Sequence, residues 1–334
     1  MAPAVSILLP VFNAADTLES CLESIRGQTL RDWECIVVDD GSTDGSGERI
    51  GSVAVSDDRF VLVRHDHSGL IPTLNAGIDR CRGELVARMD ADDRMHRERL
   101  ALQMQALKAD PTLDLVGSHV RSFPRSSLGA GSLEYEAWLN AMRTPEDVHR
   151  ERFIECPLAH PTWMLRRSVL ERLRYRDRGW PEDYDLILRV LRDGPRAGSV
   201  PQRLLDWRHH PQRLSRTDAR YALDRFTACR AWHLARDYLR DTPSYLLWGY
   251  GQTGRALRRA LADHGRRLAG LIEVHRGRIG QTIHGAPVVS PEEIGRLGND
   301  PLIVSVSGAG PRAEIRAKLQ TLDRIENRDY VCAA

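Results

Sequence analysis

Three acids crowd into the four residues Asp90-Ala91-Asp92-Asp93, directly after the apolar run Leu85-Val86-Ala87-Arg88-Met89. Carboxylates packed at the end of a strand repel one another unless something positive lies between them. Their oxygens are hard ligands that suit Mg2+ or Mn2+, and such an ion commonly bridges protein carboxylates and the phosphates of a substrate. The cluster therefore points to a metal-held diphosphate. A plainer account covers one acid only. Asp93 precedes a helical pattern at Leu100, Met104 and Leu107, where an Asp can serve as N-cap. A second acidic pair, Asp39-Asp40, ends the run Cys35-Ile36-Val37-Val38 and leads into Gly41-Ser42-Thr43-Asp44. Taken alone, that segment reads as a tight surface turn, because Asp, Gly and Ser favour turns.

Acids placed this way need a frame. Val5–Leu9, Cys35–Val38, Phe60–Val63 and Leu85–Met89 are short apolar runs bounded by turn residues and read as buried strands. Between them, Asp16 opens a helix with apolar face Leu18, Cys21, Leu22 and Ile25. Leu74–Cys81 reads as a short helix whose start is delayed by Pro72. Alternating strands and helices imply an α/β fold: a mostly parallel sheet covered on both faces, with ligands at the carboxyl ends of its strands. Both acidic segments stand at such ends, so one crevice is expected to hold them. Ser122–Pro145, rich in Gly and Ser, reads as a long loop or insertion. Pro181–Leu191 reads as a helix, with Pro first, acids in the first turn and Gly194 beyond the end. Arg216–Leu239 is another helical stretch, and Asp241-Thr242-Pro243-Ser244 marks a boundary. Domains are expected at 1–240 and 244–334.

The 334 residues can fill two cores, and 48 basic against 46 acidic side chains give no field that would favour nucleic acid. Six scattered cysteines form no C-x-x-C pair, so neither a zinc site nor a disulfide framework is indicated, and reduced thiols in the cytoplasm are the simplest reading. The N-terminus lacks a signal-peptide pattern, and no apolar run is long enough to span a bilayer. The expectation is a cytoplasmic protein. Peripheral attachment at the inner face of the membrane, through the arginines of 216–239, stays open, as does self-association.

Four segments taken together carry a resemblance. Pro10-Val11-Phe12-Asn13 follows the first strand, Val37–Asp44 the second and Arg88–Asp93 the fourth, and Pro181-Glu182-Asp183-Tyr184-Asp185-Leu186 comes later. In this order they resemble the family 2 glycosyltransferases of the GT-A fold, over about the first 240 residues. His160-Pro161-Thr162 before Arg166-Arg167, and Trp207-Arg208-His209-His210 before Ser215, extend the match. The resemblance implies inverting transfer of a sugar from a nucleoside diphosphate sugar, UDP being the commonest base and GDP or dTDP alternatives. The acceptor would be a hydroxyl of a saccharide or lipid-linked glycan, and the cofactor Mn2+ or Mg2+.

By the same resemblance Asp40 contacts the nucleobase with Asp39 and Asn13 nearby, and Pro10, Phe12, Arg88, Asp90, Ala91 and Arg208 belong to the donor site. Asp92, Asp93 and His210 match metal-binding positions, and Asp183 matches the base that takes the acceptor proton. Each has a structural alternative: a loop histidine for His210, an ion pair for Arg88, helix-dipole complementation for Asp183. Ile71-Pro72 departs from the usual family pattern, in which small helix formers stand there.

Beyond residue 244 a strand, Tyr245–Trp248, runs into Gly249-Tyr250-Gly251-Gln252-Thr253-Gly254 and a helix, and Glu273 ends the next strand. Gly249, Gly251, Gly254 and Glu273 fit a dinucleotide fingerprint in a small Rossmann-like domain, either a second nucleotide site or a docking module that kept its glycine turn. The rival functions are a nicotinamide-dependent oxidoreductase built on that turn and a catalytically weak nucleotide-sugar binder or scaffold. The glycosyltransferase-like motifs of the first domain weigh against the former, and the joint presence of Asp92 and Asp183 against the latter.

Overall fold

A computed structural model describes residues 2–334. The chain divides into two compact units. One comprises the chain up to His149, Pro157–Arg178 and Asp185–Thr217, and the other Arg150–Cys156, Gly179–Tyr184 and Asp218–Ala334.

The first unit is built on strands β1 (Val5–Val11), β2 (Trp33–Asp39), β3 (Phe60–Arg64), β4 (Leu85–Arg88), β5 (Arg94–Met95), β6 (Leu115–Phe123), β7 (Met164–Arg166) and β8 (Ala197–Arg208). Their order in the sheet is β3-β2-β1-β4-β7-β6-β8-β5. The β3-β2-β1-β4 half is parallel, as expected from its continuous apolar runs. β7 then runs antiparallel to β4 and β6, and β5 antiparallel to β8. β1 and β2 are buried along their whole length, and the helix Ala15–Arg26 lays Leu18, Cys21, Leu22 and Ile25 onto the same core.

Pro10 marks where the sheet opens. β1 pairs with β2 from Val5 to Val11, but with β4 only as far as Leu8 opposite Arg88. Leu8 O still accepts from Met89 N, while Val11 O accepts from Asp40 N. Backbone groups alternate sides along a strand, so Pro10, two residues after Leu8, turns its missing N–H toward the β4 side, where pairing has ended. The ends of β1 and β4 therefore part at the position where Asp90–Asp93 begins.

Two expectations change. The helix after β3 runs Leu70–Ile78 and includes Pro72 in its first turn. The first N–H groups of a helix have no intrahelical partner, so a proline at the third position costs no hydrogen bond. Ser122–Pro145 is also more ordered than a loop. It holds the helix Ala130–Leu139, anchored where Glu136 accepts from Ser122 N at 2.7 Å and pairs with Arg125.

The second unit carries β9 (Ser244–Trp248), β10 (Arg267–Ile272), β11 (Thr282–Ile283), β12 (Ala286–Val289), β13 (Leu302–Val304) and β14 (Tyr330–Cys332), ordered β11-β12-β10-β9-β13-β14. All pairs are parallel except the β11–β12 hairpin. The helical stretch around 216–239 resolves into a short turn of 3-10 helix at Ala219–Tyr221 and a helix at Leu223–Arg236. All six cysteines are buried and free. No helix among the described residues is long and apolar enough to cross a membrane.

Candidate active site

The acidic turn is held from several sides. Asp93 N donates to Asp90 O, closing the turn. Thr17 Oγ1 donates to Ala91 O at 3.1 Å, and Cys21 lies against Asp90 O, so the helix Ala15–Arg26 fixes the turn from one flank. From the other flank β8, paired to β5, brings Arg208 alongside: its backbone N donates to Asp93 Oδ1 at 2.7 Å and its Nε to Asp92 O at 2.7 Å. His210 Nε2 lies 2.9 Å from Asp92 Oδ2. Buried Arg88 pairs with the more exposed Asp90.

Asp90, Asp92 and Asp93 each offer an oxygen within 4.8 Å of the others. Asp93 is 1% exposed, and its Oδ2 has no hydrogen-bond partner. Burial, and next the charges of Asp92 and Asp90, push the Asp93 carboxyl well up, and burial, then Asp90, raises Asp92. A buried acceptor with an empty lone pair, inside a set of mutually repelling oxygens, suits a hard divalent cation. The residues present thus fit Mn2+ or Mg2+. Asp92 and Asp93 would hold it, with Asp90 and His210 beside them.

A second group stands at the ends of β1 and β2. Asn13, at φ 48°, accepts from Thr43 N through Oδ1, and its own N donates to Ser42 Oγ. Asp39 caps the same turn by accepting from Ser42 N at 3.0 Å. Gly41 has φ 74°, and a Cβ there would lie 2.8 Å from His67 N, so only glycine fits.

Asp40 is 3% exposed and heavily engaged. Its oxygens accept from Ser68 N at 2.8 Å and Gly69 N at 3.0 Å, and His65 Nδ1 and His67 Nδ1 lie 3.3 and 2.9 Å away. Burial raises its carboxyl, but these hydrogen bonds outweigh it, and the net shift is downward. Its carboxylate thus secures the loop after β3. The ring of Phe12 is an exposed aromatic face here, 47% exposed and stacked on His67 with centroids 4.1 Å apart. His65 and His67 were not anticipated, because nothing in the spacing of His65-Asp66-His67 links them to Asp40.

Arg88 and Arg208 are engaged structurally as well as positioned at the site. Besides its bonds to the turn, Arg208 stacks on Phe123 at 4.5 Å, and Arg94 does the same.

Asp183 stands in the first turn of the helix Glu182–Val190, where its Oδ1 accepts from Tyr184 N at 2.7 Å. It is partly exposed, whereas neighbouring Glu182 is 1% exposed. Tyr221 Oη donates to Glu182 at 2.8 Å, yet burial first and the Asp183 charge second push Glu182 up to about 8. Glu182 thus keeps its proton at neutral pH. A carboxyl with a raised folded-state value binds its proton more tightly when folded, so its linkage lowers stability as pH climbs from the ordinary 4.5 to about 8. Glu182→Gln should therefore leave urea stability nearly unchanged at pH 5 and raise it above wild type at pH 9. Parallel curves for the two proteins would contradict the assignment.

In the second unit, Gly249 (φ 91°) turns the chain out of β9, and a Cβ on Gly254 would lie 2.3 Å from Gly249 O. A Cβ on Gly251 would meet open space. Glu273 is not vacant: it accepts from Val274 N and pairs with Arg278 at 2.8 Å, and Arg278 also donates to Tyr250 O.

The family model described as "Glycosyl transferase family 2" matches residues 6–174. The chain is 28% identical over 257 residues to the uncharacterized glycosyltransferase EpsJ of Bacillus subtilis, covering 75% of this chain and 72% of that protein. It is 30% identical over 204 residues to the amylovoran biosynthesis glycosyltransferase AmsE of Erwinia amylovora, covering 60% and 74%. Among solved structures, S. aureus TarS 1-349 in complex with UDP-GlcNAc superposes with TM-score 0.57 at 14% identity, over 79% of this chain and 71% of that one. The mannosyltransferase PcManGT from Pyrobaculum calidifontis, in complex with GDP-Man and Mn2+, superposes with TM-score 0.50 at 23% identity, over 79% and 70%. The motifs, the mixed sheet that presents them and the match over half the chain agree: this chain belongs to glycosyl transferase family 2 and is a glycosyltransferase of the GT-A fold.

Proposed function

We propose that the protein transfers a sugar, with inversion, from a nucleoside diphosphate sugar to an acceptor hydroxyl in polysaccharide or glycoconjugate assembly, and that transfer depends on Mn2+ or Mg2+. The observation that carries the reading is the buried, unpartnered Asp93 Oδ2 within the Asp90–Asp92–Asp93 set, at the strand ends where α/β sheets bind ligands. UDP is the first choice of nucleotide. The relatives support the setting: one is named for amylovoran biosynthesis, and the TarS structures hold UDP and UDP-GlcNAc.

In this reading Asp92 and Asp93 hold the cation, which when bound neutralises charge developing on the diphosphate. Arg88 and Arg208 fix the acidic turn, and Phe12 takes the base on its ring. Asp183 accepts the acceptor proton as that oxygen bonds to the anomeric carbon. The bond from that carbon to the diphosphate oxygen breaks on the opposite face, and the nucleoside diphosphate leaves. Glu182, holding its own proton, leaves Asp183 as the carboxylate that takes the acceptor's proton. A base–aromatic stack is worth ~1–3 kcal/mol, so Phe12→Ala should weaken nucleoside diphosphate binding about 5- to 150-fold with Mn2+ binding unchanged, read by calorimetry. Unchanged nucleotide affinity would move the base elsewhere.

The second unit supports a further assignment within the same proposal. Its strands β12-β10-β9-β13-β14 follow the Rossmann order 3-2-1-4-5, with the glycine turn at the point where the order reverses. We read it as a small Rossmann-like domain whose second nucleotide site is formed around Gly249, Gly251, Gly254 and Glu273, with Gly251 the glycine that faces open space. Since Arg278 occupies Glu273, a ribose at that position requires Arg278 to swing aside. Domain limits of 1–240 and 244–334 remain the proposal for the two functions. Peripheral association with a membrane that carries a lipid-linked acceptor, and separately self-association, complete the proposal.

A further inference from the structure

Behind the acidic turn lies a guanidinium that no solvent reaches. Arg99, the first residue of the helix Arg99–Ala109, is 0% exposed. Its Nη2 donates to Arg88 O at 2.7 Å and lies 3.4 Å from Trp163 O. Its Nε donates to Gln103 Oε1 at 3.0 Å, and Nη1 lies 3.5 Å from Met89 Sδ. Gln103, also 0% exposed, passes the arrangement on: its Nε2 donates to Thr162 O at 2.6 Å and to Val116 O at 3.2 Å. One helix thus captures carbonyls from the end of β4, the segment entering β7, and β6.

Two physical facts make this more than packing. First, Arg88 O and Met89 are the last points held before Asp90, so Arg99, together with Leu8 O, holds the place where the acidic turn leaves the sheet. Second, among the described residues no carboxylate pairs with Arg99; its bonds go to carbonyls, an amide and a thioether. A buried cation without a paired anion is costly. Its four acceptors must therefore stay in place around it, which holds the backbone at Arg88 and the side chain of Met89.

Resting on the metal reading above, we propose that Arg99 is a positioning residue for the metal-binding turn. Its guanidinium, braced by Gln103, fixes the exit of β4 from which the acidic turn springs, so the carboxylates are gathered before the cation arrives. Arg99 touches neither substrate nor metal.

The test is calorimetric titration of the full chain with Mn2+ alone, at a temperature where near-UV circular dichroism shows each variant folded, together with amide exchange at Met89–Asp93 in the metal-free protein. Partners of metal ligands typically carry ~10–100-fold in metal affinity. Arg99→Lys retains a charge but not the planar fork, and is expected to weaken Mn2+ binding at least tenfold and speed exchange at the turn. Should Arg99→Lys not fold, Gln103→Met decides: it keeps the guanidinium but loses its brace, and a weakening of about three- to tenfold is expected. Wild-type Mn2+ affinity and exchange in a folded variant would reduce Arg99 to a stability residue and overturn the inference while leaving the metal reading intact. Failure of the wild-type chain to bind Mn2+ would overturn the metal reading itself, and the inference with it.

Discussion

Asp183→Asn should reduce kcat by about 10²- to 10⁴-fold, the usual contribution of a positioned general base, and leave donor affinity within about twofold. The substitution is nearly isosteric, and the amide oxygen can still accept from Tyr184 N as the carboxylate does at 2.7 Å. What it removes is the ability to take a proton. The helix start is therefore retained while the acceptor hydroxyl loses its partner. Steady-state kinetics alongside donor titration separates the two effects. A variant with full kcat would show that Asp183 serves the helix dipole alone, and that another group takes the proton. A parallel loss of donor affinity would mean that the change disturbs the donor site, and would remove the argument for a base.

Asp92→Asn is the second large effect. Asp92 offers an oxygen to the cation set and receives the ring of His210 at 2.9 Å. Replacing one carboxylate oxygen by an NH2 group puts a donor where the cation needs an acceptor. Electrostatic stabilisers of a leaving group carry about 10²- to 10³-fold in rate, and loss of the cation adds to that. Transfer should fall by at least that amount, and Mn2+ should no longer strengthen nucleotide binding. Folding should survive or even gain, because in the metal-free protein Asp92 sits among like charges and burial holds its carboxyl up. Unaltered Mn2+ dependence in this variant would exclude Asp92 as a ligand.

How much of this was legible in the chain varies by element for physical reasons. β1, β2 and β4 are covered on both faces, so they read as unbroken apolar runs, and the acids that end them are conspicuous. β6 and β8 were not readable. β6 carries Ser118 and His119, both buried, with His119 satisfied by Met142 O at 3.0 Å, so polarity there looks like a loop. β8 contains Pro201, Gln202 and Arg203, exposed in mid-strand. Yet β8 is what brings Arg208 and His210 to the acids. Those two were reached by family resemblance, not by pattern.

The saturation of Asp40 was hidden for another reason. Its partners Ser68 and Gly69 lie 28 and 29 residues on, and they meet it only because β3 returns beside β2. Arg99 was equally silent. In sequence it is one arginine among many at a helix start, and only the fold shows that its fork is closed off from water.

The central claim, a metal-assisted nucleoside diphosphate site at the ends of β1, β2 and β4, is tested most directly by titrating UDP, GDP and dTDP into the protein with and without Mn2+. The account predicts that one of them, UDP first, binds at least tenfold more tightly with Mn2+, because the acidic turn alone repels a diphosphate. Equal affinity with and without Mn2+ for all three, or tight binding of the metal-free protein to the diphosphate, would contradict it.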